Sequence, residues 1–213
     1  MRANRRRSIR DFKSKNTDLL VIIDVQRDFL EGGALAVPDA NAILPVIEEV
    51  AKDFDNLVMA QDWHPAGHSS FASTHAGKAP FETTEMPYGT QVLWPDHCVQ
   101  GTPGAELMLP DTLQQRAEAV IRKGYRPEID SYSAFMENDQ KTPTGLGGYM
   151  RERGFERAVF VGLALDFCVG FSALDARKLG FEAIVIEAGC RGIAQDSVDE
   201  MKAKMAAAGV TLV

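Results

Sequence analysis

No apolar run in this sequence approaches the ~20 residues that a membrane-spanning helix needs. No hydrophobic stretch follows the arginine-rich start either, so neither an anchor nor an export leader is expected. Cysteine is scarce. Cys98, Cys168 and Cys190 are odd in number and lack framework spacing, which argues against a disulfide-stapled secreted domain and for a reducing, cytoplasmic setting. Internal repeats and linker-like stretches are missing, which excludes a solenoid or a string of small domains. A positive balance of charge is missing from the body of the chain, where acidic residues outnumber basic ones. The formal net charge is −7, although residues 1–15 carry seven Arg or Lys against one Asp. The remainder is therefore clearly acidic, and a nucleic-acid partner is not expected for it.

What is present fits an ordinary globular protein: 213 residues, 45% hydrophobic and 25% charged. One domain is expected over residues 17–213, preceded by a basic, flexible arm over 1–16 that has too few apolar residues to pack as core. Short apolar runs at 19–23, 57–60, 119–121 and 158–162 read as strands buried on both faces. Residues 42–52 repeat apolar positions at helical spacing, with Pro45 tolerable in the first turn. Further helices are expected at 146–153, at 168–179 before Gly180, and at 197–208 between a Ser197 cap and Gly209. Strands at 183–187 and 210–213 complete the alternation. Alternating β and α predicts a doubly wound three-layer α/β sandwich on a mostly parallel sheet. Periodicity fails between Trp63 and Pro110, where prolines are dense, and so long an irregular segment usually carries function.

In an open parallel sheet, the loops leaving the carboxyl ends of strands form the ligand crevice. Asp24, Lys123 and Cys168 each stand at or just past the end of an apolar run, so this topology would bring them together. Alone, Cys168 reads as a small buried hydrophobe and Asp24 as a turn cap or a structural partner of Lys123. Together they supply a thiol nucleophile, a carboxylate to move its proton and an ammonium to orient both. A helix start and a nearby ammonium would lower the thiol pKa. Gly124 leaves room for a close backbone approach. Asp62, His64 and His97 offer one carboxylate and two imidazoles, the ligand types of Zn²⁺, Fe²⁺ or Mn²⁺ sites. His68 reads either as a further ligand or as a hydrogen-bonding loop residue, and His75 as exposed. Cys98 and Cys190 read as packing. Phe29 and Trp94 flank the crevice, where a flat ring could be sandwiched, and Trp63 reads as core.

Longer segments extend the set. They are Asp24-Val25-Gln26 with Asp28-Phe29, Gly32-Gly33-Ala34-Leu35-Ala36-Val37-Pro38, and Gln61-Asp62-Trp63-His64-Pro65-Ala66 with His68 and Ser70-Phe71-Ala72. Later come Trp94-Pro95-Asp96-His97-Cys98-Val99-Gln100-Gly101-Thr102, Lys123-Gly124, Asp130-Ser131-Tyr132-Ser133-Ala134-Phe135 and Asp166-Phe167-Cys168-Val169. From about Leu19 onward the chain resembles the nicotinamidase branch of the isochorismatase-like cysteine hydrolases.

The resemblance implies that Cys168 attacks a carboxamide carbon with Asp24 as general acid/base and Lys123 in support. It further implies an oxyanion hole at the backbone N–H groups of Ala164 and Cys168, beside a cis peptide at Leu163–Ala164. Phe29, Trp94, Leu163 and Tyr132 would contact substrate. One divalent ion, zinc first with iron or manganese as alternatives, would sit on Asp62, His64 and His97 and bind the pyridine nitrogen. The implied substrate is nicotinamide, with pyrazinamide as an analogue, and a homo-oligomer is left open. Departures fall at Leu165, Phe167 and Ala188, where relatives often carry Thr, Tyr or His, and Asp; those at Leu165 and Phe167 bear on substrate range. Two other readings are a metal-independent amidase acting on ureido or carbamoyl substrates, and a noncatalytic metal- or ligand-binding module.

Overall fold

The computed structural model describes residues 14–213. Of the basic arm expected over 1–16, all but the last three residues lie outside the described residues. Two of those three meet the body: the Lys15 N–H donates to Asp18 Oδ2 at 2.7 Å, and the Ser14 hydroxyl reaches the Asp53 carbonyl.

In chain order the elements are β1 (Asp18–Ile23), α1 (Leu44–Ala51), β2 (Leu57–Asp62), a hairpin of β3 (Thr83–Met86) and β4 (Gly89–Val92), and the single turn α2 (Asp111–Gln114). Then follow β5 (Val120–Lys123), α3 (Leu146–Arg153), β6 (Arg157–Leu163), α4 (Gly170–Lys178), β7 (Glu182–Arg191), α5 (Gln195–Ala207) and β8 (Thr211–Leu212). Six strands form one sheet in the order β5-β2-β1-β6-β7-β8, parallel throughout, while β3 and β4 pair only with each other.

Successive side chains of a strand point to opposite faces, so a strand apolar at every position can serve two helix layers. In β1, Leu20 and Ile22 pack in one core with Ile47 and Val50 of α1. Leu19, Val21 and Ile23 pack in the other, with Leu146 and Met150 of α3, Ala173 of α4 and Met201 and Met205 of α5. The chain runs from β1 outward through β2 to β5, returns to the centre at β6, and runs outward again to β8. The reversal falls between β1 and β6, where an open α/β sheet places its ligand crevice. Asp24 follows β1 there, Ala164 follows β6, and Asp62 and Lys123 end the neighbouring β2 and β5.

Four local details differ from the sequence expectations. The hairpin inside the long irregular segment was not foreseen: in β3 exposed residues alternate with half-buried ones, and in β4 only Gln91 is buried, so neither strand has an apolar signature. Cys168 does not open the helix at 168–179. It sits in one π-helical turn, Leu165–Val169, that precedes α4. β7 runs past a register shift opposite Phe160 and Gly162, so Cys190 lies on the strand rather than beyond it. Ser197 does not cap α5. Its hydroxyl donates to Asp166 Oδ2 at 2.6 Å, and Asp166 also accepts the N–H groups of Ile193 at 3.0 Å and Ala194 at 3.2 Å just ahead of the helix.

Gly162 marks how closely β6 approaches β1. Its φ is +120°, and a Cβ there would lie 2.0 Å from the Ile23 carbonyl oxygen. Gly162→Ala combines backbone strain with a backbone clash, so a loss of about 3 kcal/mol or more is expected in equilibrium denaturation.

Candidate active site

Lys123 is among the largest fully buried side chains, and burial by itself would strip its proton. Its Nζ lies 2.7 Å from Asp24 Oδ2, ion-pairs with Asp62 Oδ1, and donates to Cys168 Sγ at 3.4 Å and to the Ser131 carbonyl at 3.2 Å. Against burial, Asp24, Asp62 and Cys168 hold the Lys123 pKa well above its ordinary value. Asp24 follows β1 with a left-handed φ of +50°, a conformation that Asp tolerates better than most residues. Burial lifts its pKa to about 7 against the pull of Lys123. Apart from the ion pair, neither of its oxygens has a hydrogen-bond partner among the described residues. The carboxylate is thus free to accept a proton.

Burial also pushes the Cys168 thiol well above its ordinary range; Lys123 opposes this, but Asp24 and Asp62 add to burial. The lowered pKa expected from a helix start and an ammonium is therefore not met. The thiol lies inside a turn rather than at a helix end, and two carboxylates share its surroundings. That turn is held on both sides. Asp166 ties it to α5, while Ser172 Oγ donates to the Cys168 carbonyl at 2.6 Å and accepts the Ala134 N–H at 2.8 Å. The Leu163–Ala164 peptide just before it is cis.

Asp62 joins this group to a second one. Its Oδ2 lies 3.7 Å from His64 Nε2 and 3.7 Å from His97 Nε2. His64 Nδ1 meets the Gly124 carbonyl at 2.9 Å, and His97 Nδ1 meets the Pro95 carbonyl at 2.8 Å. A carbonyl only accepts, so each Nδ1 carries the hydrogen and each Nε2 turns toward Asp62, the outer-shell arrangement of imidazole ligands. Burial lowers the His64 pKa, but Asp62 outweighs it and the net shift is upward, so this spot favours an added positive charge. Burial opposes ionisation of Asp62, yet Lys123 and the two imidazoles hold its pKa well below the carboxylate range. Two imidazole nitrogens and a carboxylate oxygen converging in this way fit a divalent cation with open coordination positions. His68 is spent otherwise: Nδ1 meets Ser70 Oγ at 2.8 Å and Nε2 the Arg126 carbonyl at 2.8 Å, the loop role of its two readings. His75 is half-buried and bonds the Ser69 carbonyl.

The two groups share one cavity, lined by Cys168 and Ala164 and by Asp62, His64 and His97. Phe29, Trp94 and Tyr132 line it. Trp94 stands edge-on to Phe167 at 4.8 Å and to Tyr132 at 6.2 Å. Leu163 is fully buried in β6 and lies outside this lining, whereas Ala164 is part of it. Asp24 and Lys123 are buried next to the lining residue Cys168. Phe167, expected to bear on substrate range, lines the cavity, and so do Leu35, Asp130 and Ile193, which were not singled out for it. The apolar ones carry no chemical signal in sequence; Asp130 had one, as the first residue of its Asp-Ser-Tyr-Ser segment.

Fold and site define a doubly wound α/β protein with a buried cysteine–carboxylate–ammonium cluster beside a candidate cation site. The isochorismatase domain matches residues 18–213, and the chain belongs to that family. It is 49% identical to a nicotinamidase of Acinetobacter baylyi, covering 93% of this chain and 92% of that protein. The solved nicotinamidase/pyrazinamidase of Acinetobacter baumanii is 50% identical, with a TM-score of 0.91 over 94% of this chain and 97% of that one. A pyrazinamidase of Pyrococcus horikoshii in complex with zinc is 33% identical, with a TM-score of 0.75 over 92% of this chain and 98% of that one.

Gly124 tests the cation site without touching a candidate ligand. Its φ is +66°, and a Cβ there would lie 2.3 Å from His64 Cε1 and 2.6 Å from Nδ1. Gly124→Ala is expected to displace the imidazole and weaken divalent-ion binding about 10–100-fold, as read by calorimetric titration of metal-free protein.

Proposed function

We propose that this protein is a nicotinamidase, hydrolysing nicotinamide to nicotinic acid and ammonia through a cysteine thioester, in salvage of pyridine nucleotides. One observation carries the reading: a single buried ammonium bridges Asp24 and Cys168 on one side and, through Asp62, two inward-facing imidazoles on the other. A nucleophile and an anchor for a ring nitrogen thus share one cavity flanked by Phe29, Trp94 and Tyr132. The imidazole pair favours this substrate over the ureido or carbamoyl compounds of metal-independent relatives. The family match and the similar nicotinamidases support the same reading.

The chemistry follows from the resting protonation states. The thiol is neutral at rest and cannot attack unaided, so Asp24 takes its proton as the Sγ–carbon bond forms. A carboxylate with a pKa of about 7 suits that exchange at neutral pH. The oxyanion of the tetrahedral intermediate is assigned to the backbone N–H groups of Ala164 and Cys168. Asp24 then passes the proton to the departing nitrogen, and ammonia leaves with the thioester formed. Asp24 next deprotonates a water, whose attack on the thioester carbon frees the acid and returns the thiol. Lys123, ion-paired with Asp24, favours the charged carboxylate once the proton has been passed on.

When bound, a divalent ion on Asp62, His64 and His97 would supply an anchoring coordination position for the ring nitrogen. Zinc is the first assignment, because a similar pyrazinamidase carries it; iron and manganese suit the same donors. The three buried, unpaired cysteines suit a cytoplasmic enzyme. Among the described residues, no helix is long and apolar enough to cross a membrane.

Purified protein should release ammonia from nicotinamide, and Cys168→Ala should lower that rate at least about 1,000-fold. A variant as fast as wild type would end the reading. Removing metal with a chelator, verified by elemental analysis, should raise KM for nicotinamide, and added zinc should restore it. Undiminished turnover by metal-free protein would remove the ion from the assignment.

A further inference from the structure

Gln91 lies on β4, in the hairpin that stands apart from the main sheet, yet it is fully buried at 0% exposure. Every polar atom of its side chain is engaged. Nε2 donates to Asp130 Oδ2 at 3.0 Å, the Tyr132 hydroxyl at 2.8 Å and the Val92 carbonyl at 2.7 Å. Oε1 accepts from Asn138 Nδ2 at 3.1 Å and the Tyr88 hydroxyl at 3.2 Å. A carboxylate and a carbonyl can only accept, so the amide has one orientation and its two hydrogens are shared among three acceptors.

Both Asp130 and Tyr132 line the cavity. They sit in a segment without regular structure, so the precision of this wall rests on side-chain bonds. Within the segment, Asp130 Oδ1 accepts the Ser131 N–H at 2.8 Å and Asn138 Oδ1 accepts the Tyr132 N–H at 3.0 Å. Gln91 adds a tie from outside it. The Tyr132 ring stands edge-on to Phe167 at 5.5 Å as well as to Trp94. Anchoring its hydroxyl stops the ring from swinging within that aromatic cluster.

We propose that Gln91 is a positioning residue for substrate binding: its amide fixes the Tyr132 hydroxyl and the Asp130 carboxylate in the cavity wall, giving a flat heteroaromatic amide a preformed surface. The inference rests on the nicotinamidase reading and deepens it. Gln91 touches no reacting group, so its loss should act on KM rather than on the chemistry of Cys168.

Gln91→Met keeps the length of the side chain and removes its hydrogen bonds. In the full chain it is expected to raise KM for nicotinamide ~10-fold with kcat within about twofold of wild type. Alkylation of Cys168 by iodoacetamide without substrate should keep its rate. Tyr132→Phe, which retains the ring, should also raise KM, and the double variant should stay within about twofold of Gln91→Met alone. A purely structural role would instead lower kcat in step with the titre of active sites and leave KM unmoved, which would overturn the proposal. Should Gln91→Met fail to fold, Tyr132→Phe decides: a raised KM supports the tie and an unchanged one overturns it. Wild-type protein inert toward nicotinamide would overturn the function and this inference together, whereas an active enzyme with an unmoved KM overturns the positioning alone.

Discussion

A buried ammonium is the constraint around which the rest of this structure is arranged. Lys123 is sealed from water, a position that costs several kcal/mol unless opposite charges surround the ion. Asp24 and Asp62 supply those charges and Cys168 Sγ a further polar contact; they come from the ends of β1 and β2 and from the turn after β6, while Lys123 itself ends β5. Removing one member of such a buried set typically costs about 3–5 kcal/mol, because it strands the others. The strand register that brings these ends level, with Asp62 directly opposite Lys123, is therefore both a stability requirement and a site requirement.

Asp62 gives the arrangement its second use. One carboxylate oxygen answers the ammonium and the other faces the two imidazoles, so a single side chain couples the thiol side of the cavity to the candidate cation side. The coupling is electrostatic: Lys123 keeps Asp62 ionised in the dry interior, and an ionised Asp62 keeps the imidazole corner hungry for positive charge. Backbone carbonyls at Pro95 and Gly124 aim the imidazoles, and Asp166 anchors the cysteine turn to α5. Rigid strand ends carry the charged groups, while irregular segments braced by side-chain hydrogen bonds make the walls.

Much of this was legible in the linear order of residues. Runs apolar at every position identify central strands because both faces must be buried, and a charged residue at the end of such a run is conspicuous because it needs a partner. That singled out Asp24 and Lys123 and drew Cys168 into the same crevice. The hairpin was not legible, since Thr-Thr-Glu-Met and Gly-Thr-Gln-Val have no apolar face to report. Nor was the tie from Asp166 to the segment that opens α5, because that helix begins 29 residues later and the ordinary capping signal pointed to Ser197.

The sequence by itself determined the layer order, the placement of the central strands and the identity of the chemical groups, because these follow from local periodicity and from residue types placed near the ends of apolar runs. Only the tertiary structure decided the upward shift of the thiol pKa, the loop duty of His68 and the burial of Gln91 against Asp130 and Tyr132. Those depend on desolvation and on distances between segments far apart in the chain, quantities that exist only once the chain has closed on itself.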